Sequence, residues 1–371
     1  MKQKSDISFS IITVCLNAGQ VIRATMESVL KQTWGKFEYI IVDGASTDGT
    51  VAIVREYAAK DTRIRWYSEP DSGVFNAMNK GICYANGDFI LFLNAGDEFH
   101  SEDVLEKAAQ MAPEADILIG DIAFKTKSGL LQHSYPAGRE LLENLERGEC
   151  VCHQVVFASK ECLKDGFDEY YTTCADFDWI CRQMKLGKKT AKLDEVVTDY
   201  DMNGITFQIR YQKIHWKEYF EVLGKYFPHP EFKYGKEVRR LFVQKKKEHF
   251  MYEFMNRWLL LKQRGVNLST FLIRQGIHTI AIYGIHHMGQ RLYDELRGSG
   301  VVVQYAIDRN TGQAMWDIPL RRPDDRLDEV EAVVVTPVFD FLEIRDSLSA
   351  KVNCPIISME EILFYEYENG L

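Results

Sequence analysis

Apolar positions over roughly the first 120 residues alternate between a strand period and a helix period. Runs rich in β-branched and aromatic residues predict strands at 9–15, 37–42, 64–68, 89–93 and 117–119. Apolar residues three and four apart predict helices at 22–30, 50–58 and 74–84. Strands alternating with helices in this way favour a parallel sheet with right-handed crossovers. The pattern predicts a doubly wound α/β domain, which we place at residues 1–204.

The pattern changes in residues 205–270, where aromatic residues recur at helical spacing. Residues 205–264 hold 14 Lys and Arg against 6 Asp and Glu, a local excess of +8 in a chain of net charge −9. Two interpretations remain open: amphipathic helices packed against the folded domains, or a basic face lying on anionic lipid headgroups. No run reaches the roughly 18 apolar residues of a membrane span, so membrane contact would be peripheral.

A second βαβ pattern occupies residues 271–371, with strands predicted at 279–283, 304–308, 331–336 and 355–358. The first strand leads into a glycine turn, and Asp308 ends the second strand. These features resemble a Rossmann-like unit. However, His286 stands at the middle glycine position, where the backbone must approach a pyrophosphate. We therefore expect an interaction or regulatory domain that does not hold a dinucleotide in the ordinary way.

Composition narrows the function. The 371 residues are 46% hydrophobic, which excludes a disordered chain, and the acidic balance disfavours nucleic acid as a partner. The eight cysteines form no CxxC pair, and Cys150-Val151-Cys152-His153 lacks a second ligand pair at zinc-finger spacing. Unpaired thiols favour a cytoplasmic protein.

Polar residues follow the predicted strands at their carboxyl ends, where open α/β sheets bind ligands. These residues are Thr13, Asn17, Asp43, Glu69, Asp71, Asn94 and Asp97. The first strand–helix turn lacks both the GxGxxG pattern and a P-loop lysine, so glycine backbone does not cradle a phosphate there. The pattern indicates a nucleotide held by side chains and a metal ion.

Six segments in order carry a resemblance: Ser10–Val14 with Asn17, Ile40–Thr50, Glu69–Gly73, Asn76–Gly81, Gly87–Asp88 and Leu93–Asp97. Together they resemble family 2 glycosyltransferases of the GT-A fold over residues 8–206. The resemblance implies inverting transfer of a sugar from a nucleotide-diphosphate donor to a glycan or lipid-linked acceptor, in surface polysaccharide synthesis. It implies a cytoplasmic enzyme, one that lies on the inner membrane face if the basic segment binds lipid. The implied donor-binding residues are Thr13, Asn17, Asp43, Asp71, Asn79, Lys80 and Asn94.

The resemblance also implies that Asp97 binds Mg²⁺ or Mn²⁺. Asn94 and Gly96 stand where carboxylates are common in the family, so the protein would supply one carboxylate beside phosphate oxygens and water. The alternative is that Gly96 and Asp97 form only a turn.

The catalytic base is implied by the segment Thr173–Arg182, in which Asp176 matches the family's catalytic Asp and Ala175 replaces a Glu. A carboxylate there can accept the proton of the acceptor hydroxyl. Two alternatives stay open: Asp176 could be a helix N-cap, or Asp178 in the first helical turn could be the base. His153 and Gln154 resemble residues that line the acceptor side.

Two other function classes remain: a sugar nucleotidyltransferase, and a binding module whose catalytic site has degenerated. The first would need a Gly-rich basic loop after the first strand, which Asn17-Ala18-Gly19-Gln20 does not provide. The second is motivated by Asn94, Gly96 and Ala175. The sequence leaves the oligomeric state open.

Overall fold

The computed structural model describes residues 6–126, 129–201, 208–227, 235–309 and 317–369. It divides into two compact units, one of Met1–Thr206 with Ile214–Lys233 and the other of Phe207–Lys213 with Tyr234–Leu371. The segment 205–270 is shared between the units, and the domain limits at 204 and 270 stay predictions.

Within the described residues of the first unit, nine strands form one mixed sheet. They are β1 (Phe9–Cys15), β2 (Phe37–Asp43), β3 (Ile64–Ser68), β4 (Phe89–Phe92), β5 (Glu98–Phe99), β6 (Ile117–Thr126), β7 (Gly129–His133), β8 (Val156–Ser159) and β9 (Thr190–Tyr200). Their order is β3-β2-β1-β4-β8-β6-β9-β5, with β7 paired to β6. The four strands from β3 to β4 are parallel, which confirms the predicted α/β fold.

The later strands depart from a simple parallel sheet. β8 runs antiparallel to both of its neighbours and separates β4 from β6. The predicted short strand 117–119 is the beginning of the longer β6. The apolar pattern did not predict β8, because its four residues form too short a run to be distinguished from the surrounding loops.

The helices of this unit are α1 (Ile22–Leu30), α2 (Thr50–Ala58), α3 (Val74–Tyr84), α4 (Val104–Met111), α5 (Gly138–Glu146), α6 (Ala175–Lys185) and α7 (Ile209–Tyr226), whose first turn is assigned to the second unit. In α1 the buried residues Ile22, Met26 and Val29 fall on one face, as the helical period requires. All seven residues of β1 are buried. Burial on both faces is typical of a central parallel strand.

The strand β7 lies at an edge of the sheet. All five of its residues are exposed, including Leu130 and Leu131, which keep 50% and 63% of their surface in solvent. Its hydrogen bonds within the described sheet go to β6 alone. β7 therefore presents an apolar strand edge to water.

In its described residues the second unit has a parallel sheet in the order β12-β11-β10-β13-β14. The strands are β10 (Thr279–Tyr283), β11 (Val302–Ile307), β12 (Leu320–Arg321), β13 (Ala332–Val335) and β14 (Ile356–Ser358). The helices are α8 (Gly235–Gln263), α9 (Ser269–Arg274), α10 (His287–Leu296), α11 (Phe341–Leu348) and α12 (Met359–Asn369). This second parallel domain confirms the predicted Rossmann-like architecture.

The aromatic spacing of α8 is explained by packing. Phe254, Trp258 and Leu261 are at most 4% exposed and belong to the core of the second unit. Tyr252 and Leu259 point outward and are 66% and 56% exposed. No helix within the described ranges combines the length and apolar character of a bilayer span.

Candidate active site

The parallel register of β1, β2 and β3 places Cys15, Asp43 and Ser68 side by side at the carboxyl edge of the sheet. Asp43 is 1% exposed. One of its oxygens accepts hydrogen bonds from the Ser68 hydroxyl at 2.6 Å and the Ser46 backbone N–H at 3.0 Å. The carboxylate is therefore fixed in one orientation at the position predicted for donor binding.

Asn17 connects the loop after β1 to the loop after β2 at this edge. It adopts a left-handed backbone with φ of 52°. Its side-chain oxygen accepts from Thr47 N–H at 2.9 Å, and its own N–H donates to the Ser46 hydroxyl at 2.7 Å. Asn17 thus orders the loop after β2, while its contact with a base stays a prediction.

Thr13 lies beneath the edge. It is fully buried, and its hydroxyl donates to the Leu93 carbonyl at 2.6 Å and lies 2.9 Å from the Tyr39 hydroxyl. These contacts use the hydroxyl within the sheet, as a polar residue near a strand end can do. The contact of Thr13 with the donor stays a prediction.

Asp71 precedes α3, and Lys80 lies within that helix. The Asp71 carboxylate accepts from Gly73 N–H at 3.0 Å, and Lys80 Nζ lies 2.8 Å from Glu69 and 2.9 Å from the Pro70 carbonyl. A Cβ on Gly44 would lie 2.5 Å from Asp71 Oδ2, so a side chain at this position would displace the Asp71 carboxylate. Asp71 therefore packs directly over the loop that follows Asp43.

Asn79 connects two elements of the first unit. Its amide nitrogen donates to the Phe167 carbonyl and to Glu169, and its oxygen accepts from Phe167 N–H at 2.8 Å. These bonds tie α3 to the loop that precedes α6. Direct donor binding by Asn79 stays a prediction.

Asp97 lies in the interior of the edge and is 3% exposed. Its oxygens accept from Asp201 N–H at 2.9 Å and from Gln154 Nε2 at 3.2 Å. Burial raises the pKa of this carboxyl to about 7, although the two donors and nearby His153 favour its charged form. A cation beside it would stabilise the carboxylate further.

At Gly96, where the family commonly has a carboxylate, the structure brings the side chain of Asp201 close to the backbone. Gly96 has φ of 106°, a conformation that disfavours a side chain, and a Cβ there would lie 3.0 Å from Asp201 Oδ2. Asp201 therefore brings a carboxylate to the place where the sequence lacks one. Within the described residues, the Asn94 side-chain oxygen is buried without a hydrogen-bond partner.

The oxygen atoms of Asp97, Asp201 and Asn94 are of the type that Mg²⁺ and Mn²⁺ prefer. Across the part of the chain that the structure describes, no three His, Cys, Asp or Glu residues form a complete metal site. The residues fit a hard cation whose remaining ligands are donor phosphates and water.

Asp176 is the second residue of α6, and its side chain is 18% exposed. Cys174 holds the N-cap position and makes no side-chain cap bond, while one Asp176 oxygen accepts from the Phe177 backbone N–H in the first turn of α6. Glu218 of α7 accepts from the backbone N–H groups of Thr172, Thr173 and Cys174, at the start of the helix and just before it. Asp176 therefore serves one amide of the helix start, and its role as the base stays a prediction.

Asn94, His153 and Asp176 form a chain of hydrogen bonds. His153 Nδ1 lies 2.8 Å from Asp176 Oδ2, and Asn94 Nδ2 lies 3.0 Å from His153 Nε2. The next residue, Gln154, contacts Asp97. The dipeptide predicted for the acceptor side therefore contacts both the proposed base and the proposed metal ligand.

Asp178 is separated from this group. It is 1% exposed, and its oxygen accepts from Lys225 Nζ at 2.7 Å and from the Tyr226 hydroxyl at 3.1 Å. These contacts make Asp178 an anchor between α6 and α7, and its tentative place on the acceptor side stays a prediction. The partners lie 47 and 48 residues away in sequence, so no local pattern revealed them.

The corresponding edge of the second unit is built differently. After β10, Gly284 has φ of 96°, and a Cβ on Gly289 would lie 1.9 Å from the Gly284 carbonyl oxygen. Asp308, 7% exposed, accepts from Ile285 N–H at 3.0 Å. The predicted turn is present, and His286 occupies the position before α10.

Three further residues of the first site were missed by sequence reasoning: Ser68, Asp201 and Glu218. Ser68 could have been found from the strand ends, since it ends β3 at the level of Asp43. Asp201 follows β9 and lies 104 residues after Asp97, so no local pattern linked the two. Glu218 carried no local signal, because the amides that it binds lie 44 to 46 residues earlier.

Comparisons with known proteins agree with this architecture. The profile described as Glycosyl transferase family 2 matches residues 10–165. A PGL/p-HBAD biosynthesis glycosyltransferase of Mycobacterium tuberculosis is 31% identical over 180 residues, covering 47% of this chain and 68% of the relative. The uncharacterized glycosyltransferase YibD of Escherichia coli is 36% identical over 108 residues, covering 29% and 31% of the two chains.

Among solved structures, Staphylococcus aureus TarS 1-349 in complex with UDP-GlcNAc aligns with 62% of this chain and 74% of its own, at 19% identity and a TM-score of 0.49. The family match and the mycobacterial relative confirm the resemblance drawn from the ordered segments. This chain belongs to glycosyltransferase family 2.

Proposed function

We propose that this glycosyltransferase moves a hexose-type sugar from a nucleotide-diphosphate donor to a hydroxyl of a glycan or lipid-linked glycan, with inversion at the anomeric carbon. In this reaction the acceptor oxygen forms a bond to the anomeric carbon as the bond to the diphosphate breaks. The acceptor proton passes to Asp176, and the nucleoside diphosphate leaves.

One observation carries the assignment of the base. Of the two carboxylates in the first turn of α6, Asp176 is partly exposed beside His153, whereas Asp178 is buried against Lys225. A base must reach the proton that it removes. Asp178 is already neutralised by an ammonium group and has almost no exposed surface, so it is a poor candidate.

Asp97 would hold a divalent cation, with Asp201 and the Asn94 oxygen nearby. When bound, such an ion would supply positive charge to the leaving diphosphate. The buried position of Asp97 supports this role, because an unpaired carboxylate in such a place is costly and a cation offsets that cost. Asp43, fixed by Ser46 and Ser68, would accept hydrogen bonds from the nucleoside.

The acceptor and the location of the enzyme are inferred more broadly. Residues that resemble the family's acceptor side surround Asp176, which supports a carbohydrate acceptor and a role in surface polysaccharide synthesis. The mycobacterial relative is named a PGL/p-HBAD biosynthesis glycosyltransferase. A lipid-linked acceptor at the cytoplasmic membrane face is part of this proposal. Tyr252 and Leu259 are the exposed apolar residues of α8 that such a contact would use.

The proposal is tested by incubating the protein with a panel of uridine, guanosine and thymidine diphosphate sugars, with Mn²⁺ and then with excess EDTA. We expect one donor to be hydrolysed slowly and transferred to a carbohydrate acceptor, with loss of turnover in EDTA and recovery when Mn²⁺ is restored. A bound donor at 100 times its Kd should also stabilise the fold by about 2.7 kcal/mol. Stabilisation without any turnover would favour the degenerate binding module.

A further inference from the structure

A chain of hydrogen bonds runs from Asn94, in the segment between β4 and Asp97, through His153 to Asp176. Asn94 follows β4, three residues before Asp97, and its amide nitrogen contacts His153 Nε2 at 3.0 Å. The other ring nitrogen of His153 contacts Asp176 at 2.8 Å. The imidazole therefore lies between a side chain of the donor edge and the proposed base, and both of its nitrogens are engaged.

With the Asn94 amide oriented as it is in this structure, the two contacts favour one tautomer of a neutral His153 ring. Because the Asn94 amide nitrogen is a donor, His153 Nε2 must accept and carries no proton. The proton of a neutral ring then resides on Nδ1, from which it is donated to Asp176 Oδ2. The second oxygen of Asp176 accepts from Phe177 N–H at 2.8 Å. Each oxygen thus has one fixed donor and keeps a lone pair for an incoming proton.

The backbone that carries His153 is held in place as well. His153–Val155 forms one turn of 3-10 helix. The Gln154 carbonyl accepts from the Thr198 hydroxyl at 2.7 Å, and the Gln154 side chain donates to Asp97. This support holds the His153 ring in one position, so that the ring can keep the Asp176 carboxylate in one orientation, as productive geometry in an active site requires.

We propose that His153, with its tautomer set by Asn94, is a positioning residue that orients the Asp176 carboxylate toward the acceptor hydroxyl. This inference rests on the proposed role of Asp176 as the base. His153 itself does not remove the proton, because both ring nitrogens are occupied. Its effect on the reaction runs through Asp176 alone.

The kinetic test uses three variants: His153→Leu, His153→Asn, and His153→Leu combined with Asp176→Asn. We expect His153→Leu to lower kcat of transfer about 10–100-fold with the donor Kd unchanged, because the base loses its orienting donor. The Asn amide nitrogen lies near the place of Nδ1, so His153→Asn should recover roughly tenfold of that loss. In the Asp176→Asn background, His153→Leu should add no further loss.

A matched control comes from the same unit. His100 Nδ1 contacts Asp199 at 2.7 Å outside the site, so His100→Leu should leave kcat unchanged. An additive loss in the double variant would overturn the proposal, since His153 would then act independently of Asp176. Equal kcat values in His153→Asn and His153→Leu would overturn it too.

A second measurement does not depend on turnover. Ring ¹⁵N spectra of the full-length protein, assigned by loss of the His153 signal in His153→Leu, should show the Nδ1–H tautomer. The Asn94→Leu variant should lose this preference, because Nε2 would no longer be held as an acceptor. An Nε2–H tautomer in the wild type would overturn the inference, whereas complete absence of sugar transfer with the expected tautomer would count against the proposed function instead.

Discussion

Each of the two sheets places an aspartate at the carboxyl end of a parallel strand, Asp43 at β2 and Asp308 at β11, yet the two edges differ. Asp43 and Asp308 are both nearly buried, and each accepts a hydrogen bond from a nearby backbone N–H. Ser68 lies beside Asp43 at the end of the neighbouring strand, and Asn94 and Asp97 follow β4 further along the sheet. Around Asp308 the glycines at 284 and 289 close the turn tightly, and the carboxylate secures that turn. We propose that the same architecture supplies a reactive edge in the first unit and a structural edge in the second.

The largest expected effect tests the reactive edge. Asp176→Asn should lower kcat of transfer by about 10²–10⁴-fold while donor affinity is retained, because a general base acts as the proton leaves. Single-turnover transfer and calorimetric donor binding on the same sample would measure both quantities.

The paired control is Asp178→Asn. This change leaves Lys225 without its carboxylate and should lower the thermal midpoint, with kcat retained at temperatures where the variant stays folded. If this variant were inactive while folded and Asp176→Asn remained active, the base would be the other carboxylate.

Asp97→Asn should abolish the stimulation of turnover by Mn²⁺ and change the pH dependence of stability. With a pKa of about 7, raised by burial from an ordinary 3.8, the folded state binds this proton more tightly than the unfolded chain does. The free energy of unfolding should therefore fall as pH rises from about 4 to about 7. Asn cannot ionise, so in EDTA the variant should be more stable than wild type at pH 8, by roughly 1–4 kcal/mol.

Denaturant unfolding of both proteins at pH 5.5 and pH 8 measures this difference. The advantage of the variant should be smaller at the lower pH, because there the wild-type carboxyl is already protonated in the folded state. An equal difference at both pH values would contradict the effect of burial on Asp97.

A direct comparison of the two edges uses Asp43→Ala and Asp308→Ala. Loss of a buried, charge-assisted hydrogen bond to the donor should weaken its binding by about 1.5–3 kcal/mol in Asp43→Ala. Asp308→Ala should leave donor affinity unchanged, because its carboxylate serves the turn after β10. Calorimetry with one nucleotide diphosphate measures the affinity of each variant. An equal loss of affinity in Asp43→Ala and Asp308→Ala would contradict the distinction between the two edges.

The smallest expected effect concerns dinucleotides. His286 replaces the middle glycine at the turn before α10, so titration of the full-length protein with NAD should give no measurable heat. Tight NAD binding that Asp308→Ala abolishes would show that the second edge is also a ligand site.

The sequence predicted the elements well where the apolar period was strong and continuous. The helices at 22–30, 50–58 and 74–84 have the predicted bounds, because each presents one apolar face to a sheet. The strand β8 was missed because four residues carry little periodicity.

Within the site, sequence identified the residue types but not their partners. Nothing local separates Asp176 from Asp178, since the difference comes from Lys225 and His153, each more than 20 residues away. The contacts of Asn79 were hidden for the same reason, because Phe167 and Glu169 reach it only in the folded chain. Long-range contacts of this kind decide which polar residues remain available to a ligand.

The exposed strand β7 has a practical consequence for handling the protein. An unpaired strand edge with apolar side chains is a template for pairing with a second chain. β7 contains no Lys, Arg, Asp or Glu of the kind that commonly protects such edges, and its Leu130 and Leu131 are exposed. In concentrated samples, two copies of the protein could therefore associate along β7, independently of sugar transfer. Replacing Leu131 with lysine would place a charge on this edge and should extend the concentration range in which the enzyme stays monodisperse.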